Sequence, residues 1–152
     1  MKISEHISLE EATSSPYATA HNINNVPGPV ELSAMKLVAE KVFEPLRIHF
    51  NVPLKINSFY RCPQLNKAIG GASTSQHVKG EAIDVDATGA VTNKDLFLYI
   101  KDHLPYDQAI WEGGTDENPN WVHVSYNPSG IQRKQLLRMT KVNGKSVYTA
   151  IT

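Results

Sequence analysis

The sequence predicts an α+β domain, in which helices flank a mainly antiparallel β-sheet. Two observations support this class. Apolar residues recur at helical spacing between Met35 and Phe50, which predicts one long amphipathic helix. The last third of the chain instead alternates between apolar and polar residues and contains Asn143-Gly144, a dipeptide typical of two-residue hairpins. Helices that flank a mainly antiparallel sheet are the pattern of the α+β class.

A chain of 152 residues is long enough for one domain with its own core and short for two. Residues 1–152 are therefore predicted to form a single domain. Apolar residues make up 41% of the chain and charged residues 20%, which excludes a disordered or membrane-spanning chain.

The first elements are two helices separated by a loop. Ser8 and Glu11 form a capping-box pattern, which predicts a short helix that ends near residues 14–16. The loop covers residues 22–29, and the long helix follows from about Val30. Pro45 lacks a backbone donor, so a kink or an early end is predicted there.

The remaining elements follow from strand alternation and helix caps. The middle of the chain is predicted to contain a strand over 54–60, a short helix over 63–69, a strand over 81–87 and a helix from 92 or 93 to about 104. Four strands are predicted after it, over 107–112, 121–127, 135–142 and 145–151.

Charge and composition exclude several functions. Fifteen basic residues balance fifteen acidic ones, so the positive surface needed to bind nucleic acid is missing. The basic residues between Arg133 and Lys141 are interpreted as a solvated strand face. The single Cys62 cannot form an internal disulfide. No stretch reaches the roughly 20 apolar residues of a membrane helix, and the N-terminus lacks the apolar run of a signal peptide, so cytoplasmic synthesis is expected.

Three residues form a candidate metal site: His77, Asp84 and His123. Two imidazoles and one carboxylate are a ligand set of catalytic zinc, with a fourth position left for water. The interval from His77 to Asp84 fits a loop residue and a strand residue joined by a turn at Lys79-Gly80. Alternation along WVHVSY places His123 opposite the two core valines, on the side that can face a cleft.

The residues alone leave alternatives open. A strand histidine is often a hydrogen-bonded structural residue, and Asp84 could pair with a lysine or an arginine. Asp86 shares the strand face of Asp84, so spacing does not decide which of the two would bind a metal. His6, His21, His49 and His103 lack such a pattern and are interpreted as structural or surface residues.

The segment SFYRCPQLNKAIGGASTSQHVKGEAIDVD, together with the later WVHVSY, resembles the zinc D-alanyl-D-alanine carboxypeptidase family of murein peptidases. It is most similar to the short phage and prophage members, and the similarity extends from the N-terminus to about Tyr126. The resemblance implies a Hedgehog-like zinc peptidase fold, with His77, Asp84 and His123 as ligands of Zn²⁺. It is the resemblance that selects Asp84 over Asp86.

The resemblance also implies that Arg61 and Ser75 contact the substrate. The fixed cation of Arg61 suits an oxyanion or a substrate carboxylate, although alone it would be interpreted as part of a surface salt bridge. Trp111 and Tyr126 flank the predicted cleft and are expected to line a substrate groove, with core packing as the alternative.

A hydrolytic zinc site needs a general base. Many relatives place an acid three residues before the last histidine ligand, but this position is Asn120. If residues 108–112 pair with 121–125, Ile110 lies opposite His123 and Glu112 lies diagonally within reach, so Glu112 is predicted to be the base. Asp116 and Glu117 are weaker alternatives that are more typical of solvated charges.

The expected function is that of a monomeric zinc peptidase acting on the stem peptide of bacterial peptidoglycan, with no nucleic-acid or membrane partner. Removal of terminal D-alanine and endopeptidase cleavage both fit the ligand set. By analogy with the family, the enzyme would reach the wall during phage lysis, after release by a membrane-permeabilising partner, or as part of a virion. The alternative is an inactive zinc-containing wall-binding module, as in the distantly similar Hedgehog domains, and Asn120 keeps that alternative open.

Overall fold

The computed structural model describes residues 1–151. The helical elements are α1 (Leu9–Thr13), α2 (Pro16–Ala20), α3 (Pro29–Val38), a π-helical segment (Ala39–Phe43), α4 (Glu44–Phe50), α5 (Pro63–Ala68) and α6 (Asn93–His103). The strands are β1 (Lys2–Ser4), β2 (Ile7–Ser8), β3 (Lys55–Ser58), β4 (Ala82–Asp86), β5 (Gln108–Glu112), β6 (Trp121–Ser125), β7 (Gln135–Val142) and β8 (Lys145–Ala150). None of the helices in residues 1–151 combines the length and the apolar character needed to cross a membrane.

The strands form a two-stranded ribbon, β1-β2, and a six-stranded sheet in the order β3-β4-β6-β5-β7-β8. All pairs in the large sheet are antiparallel except β5-β7, which is parallel. The predicted α+β class with a mainly antiparallel sheet is therefore confirmed. The parallel pair was not predicted, because β7 pairs with β5 and not with β6, its neighbour in sequence.

The local signals at the predicted boundaries are present. Ser8 and Glu11 form the capping box of α1. Asn143 and Gly144 both have positive φ, 52° and 78°, as a type I′ hairpin turn requires.

Helix α2 was not predicted, because Pro16 was interpreted as the end of α1. Pro16 instead occupies the first turn of α2, behind the cap Ser15, where its missing N–H costs nothing.

The long helix is interrupted as Pro45 predicts. The interruption is the π-helical segment Ala39–Phe43, after which α4 continues to Phe50. Proline cannot donate to the carbonyl four residues before it, and a π-helical turn is one way in which a helix absorbs such a fault.

One face of the sheet packs against the helices, and the other face is turned away from them. The core face carries Ile83 and Val85 of β4, Ala109 and Trp111 of β5, and Val122 and Val124 of β6, all buried against residues of α3, the π-helical segment and α6. Strand alternation therefore places the residues between these, among them Asp84, Glu112 and His123, on the opposite face. That face is the floor of a cleft.

One interpretation of the basic segment is wrong. Arg133 and Lys134 precede β7 and are not part of a strand face. The guanidinium of Arg133 donates to the buried carboxylate of Asp107, with Nη2 2.8 Å from Oδ2. Because Asp107 is almost fully buried, it needs this partner.

Candidate metal centre and its cleft

His77, Asp84 and His123 meet on the cleft face of the sheet. The register places Asp84 of β4 opposite His123 of β6, and the loop before β4 brings in His77. Nε2 of His77 lies 3.2 Å from Oδ2 of Asp84, and Nδ1 of His123 lies 3.0 Å from Oδ1. One ligand atom from each side chain lies within 4.8 Å of the other two. The three side chains could therefore hold one metal ion.

The loop that carries His77 is held at both ends. Nδ1 of His77 lies 2.8 Å from the carbonyl oxygen of Phe59, and the backbone N–H of Arg61 donates to the carbonyl of His77 at 3.2 Å. Gly80 ends the loop with φ 72°, and a Cβ there would lie 2.5 Å from the carbonyl oxygen of Glu31. Only glycine fits this close approach.

The ring nitrogens that point away from Asp84 also have partners. A carbonyl oxygen can only accept a hydrogen bond, so Nδ1 of His77 carries the proton that it donates to the Phe59 carbonyl. Nε2 of the neutral ring is then unprotonated and available as a ligand. Nε2 of His123 lies 3.2 Å from Oε1 of Gln76, which leaves Nδ1 as the ligand atom. Metal-binding histidines in general donate their second N–H to a carbonyl or carboxylate. The donor set and its outer partners thus fit a divalent metal such as zinc.

Gln76 connects His123 to a second buried charge. Its Nε2 donates to Oδ2 of Asp107 at 3.4 Å, and Asp107 is held by Arg133. The amide of Gln76 is therefore oriented with its oxygen towards His123.

We expect Gln76→Ala to weaken zinc binding by about 10- to 100-fold, because His123 loses the acceptor that orients its ring. Gln135→Ala, an exposed change, is the matched control and should leave the affinity unchanged. Competition titration with a zinc chelator measures both. Equal affinities in the two variants would contradict the role given to Gln76.

Asp84 is electrostatically the centre of the group. Burial alone would raise its pKa, but the two imidazoles beside it hold the pKa well below its usual range, so the carboxylate stays ionised. Asp86 differs, because its Oδ1 accepts a hydrogen bond from Nδ2 of Asn93 at 2.8 Å. The structure therefore brings Asp84, and not Asp86, to the two histidines.

Arg61 and Ser75 lie at the β3 side of the cleft. Nη2 of Arg61 donates to Oγ of Ser75 at 3.3 Å, and that Oγ accepts from the backbone N–H of His77 at 3.2 Å. Burial lowers the pKa of Arg61 and the charge of Asp84 opposes this, but a guanidinium remains protonated. Its buried Nε has no hydrogen-bond partner within residues 1–151.

Glu112 lies on the same face as the three candidate metal ligands. The predicted register is present: Ile110 is opposite His123, and Glu112 is opposite Trp121. Glu112 is buried at 7% exposure. Burial raises its pKa to about 7, and Asp84 adds to this, while His123 and Lys141 act against it. A carboxyl group that titrates near neutral pH is suited to accept and return a proton.

This pKa makes the metal-free fold sensitive to pH. Between the ordinary value of 4.5 and about 7, the folded state keeps a proton that the unfolded chain has lost, so stability falls as pH rises through this window. The side chain introduced by Glu112→Gln does not titrate, so the variant does not lose this stability as pH rises. At pH 8 the variant should be more stable than the wild type, by at most roughly 3 kcal/mol, and at pH 4.5 the gain should be smaller. Urea unfolding in chelator at both pH values measures this, and a pH-independent difference would contradict it.

The structure places Trp111 and Tyr126, which were predicted to line the groove, against the core. Trp111 lies on the core face of β5, where its ring packs edge-on against Phe97 with centroids 5.5 Å apart. Tyr126 also packs against the core. Neither lines the cleft. The alternation that places His123 in the cleft assigns odd positions of β6 to it, so Tyr126 belongs with Val122 and Val124.

The aromatic residues that do line the cleft are Trp121 and Tyr148. Trp121 alternates with the core valines, so the rule that predicts the cleft side for His123 predicts it for Trp121 too. The indole N–H of Trp121 is buried and lacks a partner within residues 1–151. Tyr148 is on β8, and no local signal relates it to residues so far away in sequence.

The acidic loop between β5 and β6 does not reach the cleft. Asp116 is exposed and pairs with Arg138, and Glu117 is also exposed. Asn120 is exposed and outside the cleft lining, and its backbone N–H donates to the Glu112 carbonyl at 2.9 Å. Within residues 1–151 the cleft lining contains three carboxyl groups besides that of Asp84: Glu81, Asp107 and Glu112. Asp107 is held by Arg133, and Glu112 is on the strand that pairs with the strand of His123.

The cleft has a volume of about 1060 Å³ and is lined by both polar and apolar side chains around the three candidate ligands. A second group with metal-binding spacing, Glu5, His6 and Glu44, lies on the surface away from it. There Glu44 already accepts hydrogen bonds from Ser4 Oγ at 2.6 Å and from the His6 backbone.

Comparison with known proteins identifies the family. The sequence profile described as Peptidase M15 matches residues 6–125. The chain belongs to the peptidase M15 family. Membership supports a metallopeptidase, and the predicted resemblance to the zinc D-alanyl-D-alanine carboxypeptidase family is confirmed. M15 peptidases depend on zinc, which agrees with the donor set of the cleft. No curated protein matches the chain. The family match ends with β6, so β7 and β8 lie beyond it.

Proposed function

We propose that this M15 peptidase hydrolyses an amide bond in the stem peptide of bacterial peptidoglycan and requires zinc to do so. One observation carries the proposal: His77, Asp84 and His123 converge at the floor of an open cleft, and Glu112 lies on the same face. A closed structural zinc site would have four protein ligands. This group offers three, with a cleft beside them.

The three candidate ligands would hold the metal through Nε2 of His77, Nδ1 of His123 and the carboxylate of Asp84. When bound, zinc supplies Lewis-acid activation of water and of a carbonyl group. Phe59 and Gln76 act through the histidines, by fixing which nitrogen of each ring carries the proton.

Glu112 is the general base. Its burial disfavours the charged form, so the carboxylate readily takes a proton from the attacking water. The protonated acid then returns that proton to the leaving amine. Lys141 lowers the pKa of Glu112 and so favours the ionised form at neutral pH.

Arg61 stabilises negative charge on the carbonyl oxygen of the scissile bond. It is partly buried and is positioned by Ser75, so it loses little freedom when the charge develops. Ser75 Oγ already contacts both Arg61 and the His77 loop, and it is suited to position the substrate beside them.

One experiment distinguishes the proposed function from two alternatives. Endopeptidase cleavage would use the same residues as removal of a terminal D-alanine. An inactive wall-binding module is favoured by Asn120 alone, since that position lacks the acid expected there.

We expect purified peptidoglycan to release peptide or amino-acid fragments when incubated with the protein, and we expect a chelator to stop this release. Mass spectrometry of the fragments separates D-alanine release from internal cleavage. Addition of zinc after the chelator should restore the reaction. Binding to the wall without any chelator-sensitive release would favour the inactive module and contradict the proposal.

The biological setting that we propose is wall lysis by a phage or prophage, in which the enzyme acts as a monomer and contacts neither nucleic acid nor membrane. The resemblance to short phage members supports this setting. Size-exclusion chromatography with light scattering tests the monomer, and a dimer would contradict it.

A further inference from the structure

The hairpin of β7 and β8 forms one side of the cleft. It lies outside the part of the chain that matches the M15 family. The register continues the cleft face onto this hairpin. Met139 is opposite Glu112 on β5, and Tyr148 is opposite Met139 on β8. Trp121, Glu112, Met139 and Tyr148 therefore form one row across four strands.

Lys141 lies two residues further along the same face of β7, opposite Ser146 of β8. Its Nζ donates to Oγ of Ser146 at 2.9 Å. Within residues 1–151 no carboxylate lies within 4 Å of this ammonium group, and both Lys141 and Ser146 line the cleft. A cation that forms no close ion pair thus lies beside the apolar surfaces of Met139 and Tyr148.

The two edges of the sheet place two such cations on opposite sides of the ligands. Arg61 follows β3 at one edge, Lys141 is on the hairpin at the other edge, and β4 and β6 with the ligands lie between them. Arg61 also has no carboxylate partner within 4 Å in residues 1–151. A substrate that crosses the ligands would meet one cation on each side.

We propose that Met139, Lys141, Ser146 and Tyr148 form a hairpin subsite that binds a free carboxylate of the peptide substrate, with the adjacent aliphatic part of that residue against Met139 and Tyr148. This inference rests on the proposed peptidase function and extends it to specificity. Lys141 and Ser146 donate to the carboxylate, while Arg61 remains available for the oxyanion.

The test compares stem peptides that differ in one group. A series is prepared in which each free carboxylate in turn is replaced by its carboxamide, which keeps the shape and removes the charge. We expect wild-type kcat/KM to fall about five- to tenfold for one of these replacements, as for a charge pair worth about 1 kcal/mol. Lys141→Gln should cleave the acid and amide forms of that peptide equally well.

Lys145→Gln is the matched control. Lys145 is on the same hairpin, but alternation places it on the other face, because Ser146 and Tyr148 face the cleft. This variant should keep the wild-type preference for the acid. Tyr148→Ala should raise KM for all the peptides in the series.

Several outcomes would overturn the subsite. One is cleavage of all the peptides by the wild type with no preference for any free carboxylate. Another is retention of the preference by Lys141→Gln. A Lys141→Gln variant with an unchanged preference and a shifted pH profile of kcat would mean that Lys141 acts on Glu112 and not on substrate. These results leave the peptidase function intact. No cleavage of any peptide or of peptidoglycan by the zinc-loaded wild type would instead refute the proposed function, and the subsite with it.

Discussion

Glu112→Gln is expected to lower the rate of peptidoglycan cleavage by roughly 10²- to 10⁴-fold, the range typical of a lost general base. The glutamine keeps the size and position of the side chain but cannot accept a proton. Zinc content should remain near that of the wild type, because Glu112 is outside the ligand set. Turnover on purified peptidoglycan and metal analysis of the same preparation measure the two quantities.

The matched control is Glu117→Gln, the same chemical change at an exposed position of the loop between β5 and β6. It should leave both the rate and the zinc content unchanged. Full activity of Glu112→Gln would end the assignment of Glu112 as the base. A loss of zinc in that variant would instead give Glu112 a role as a ligand.

Asp84→Asn is expected to abolish cleavage and to weaken zinc binding by at least about 100-fold. The amide removes the negative charge that both histidines face. Loss of a ligand should weaken zinc binding at least as much as loss of a residue that only orients a ligand. Zinc content after dialysis and chelator competition measure the affinity. The unfolding free energy of the metal-free variant shows separately whether the fold is retained.

Asp86→Asn provides the comparison on the same strand. Asp86 shares the cleft-side alternation of Asp84, but its carboxylate accepts from Asn93, so its replacement should leave zinc binding within a factor of about two. Equal effects of the two changes on zinc affinity would contradict the ligand set.

The amino-acid sequence was sufficient for much of the framework that positions these residues. The caps and glycines marked the helix ends, and the hairpin turn at Asn143-Gly144 was readable from two residues. The pairing of Ile110 with His123 was predicted on the condition that 108–112 pairs with 121–125 across the eight-residue loop, and the structure has this register.

The errors share a cause. Trp111 and Tyr126 were placed in the groove by their nearness in sequence to Glu112 and His123, whereas alternation places them in the core. In a strand, a residue adjacent in sequence lies on the opposite face, so sequence proximity to a site is a poor guide to membership in it.

By itself, the sequence determined the class of the fold, the donor types of the metal centre and the face on which His123 and Glu112 lie, since each depends on periodicity or on nearby residues. Spacing did not separate Asp84 from Asp86, and only the family resemblance selected Asp84. The tertiary structure shows that Asp84 meets the histidines, and it decided which nitrogen of each imidazole is free and where the β7-β8 hairpin lies. Those facts depend on contacts such as Gln76 with His123 and β7 with β5. Such contacts join distant parts of the chain, and no local pattern encodes them.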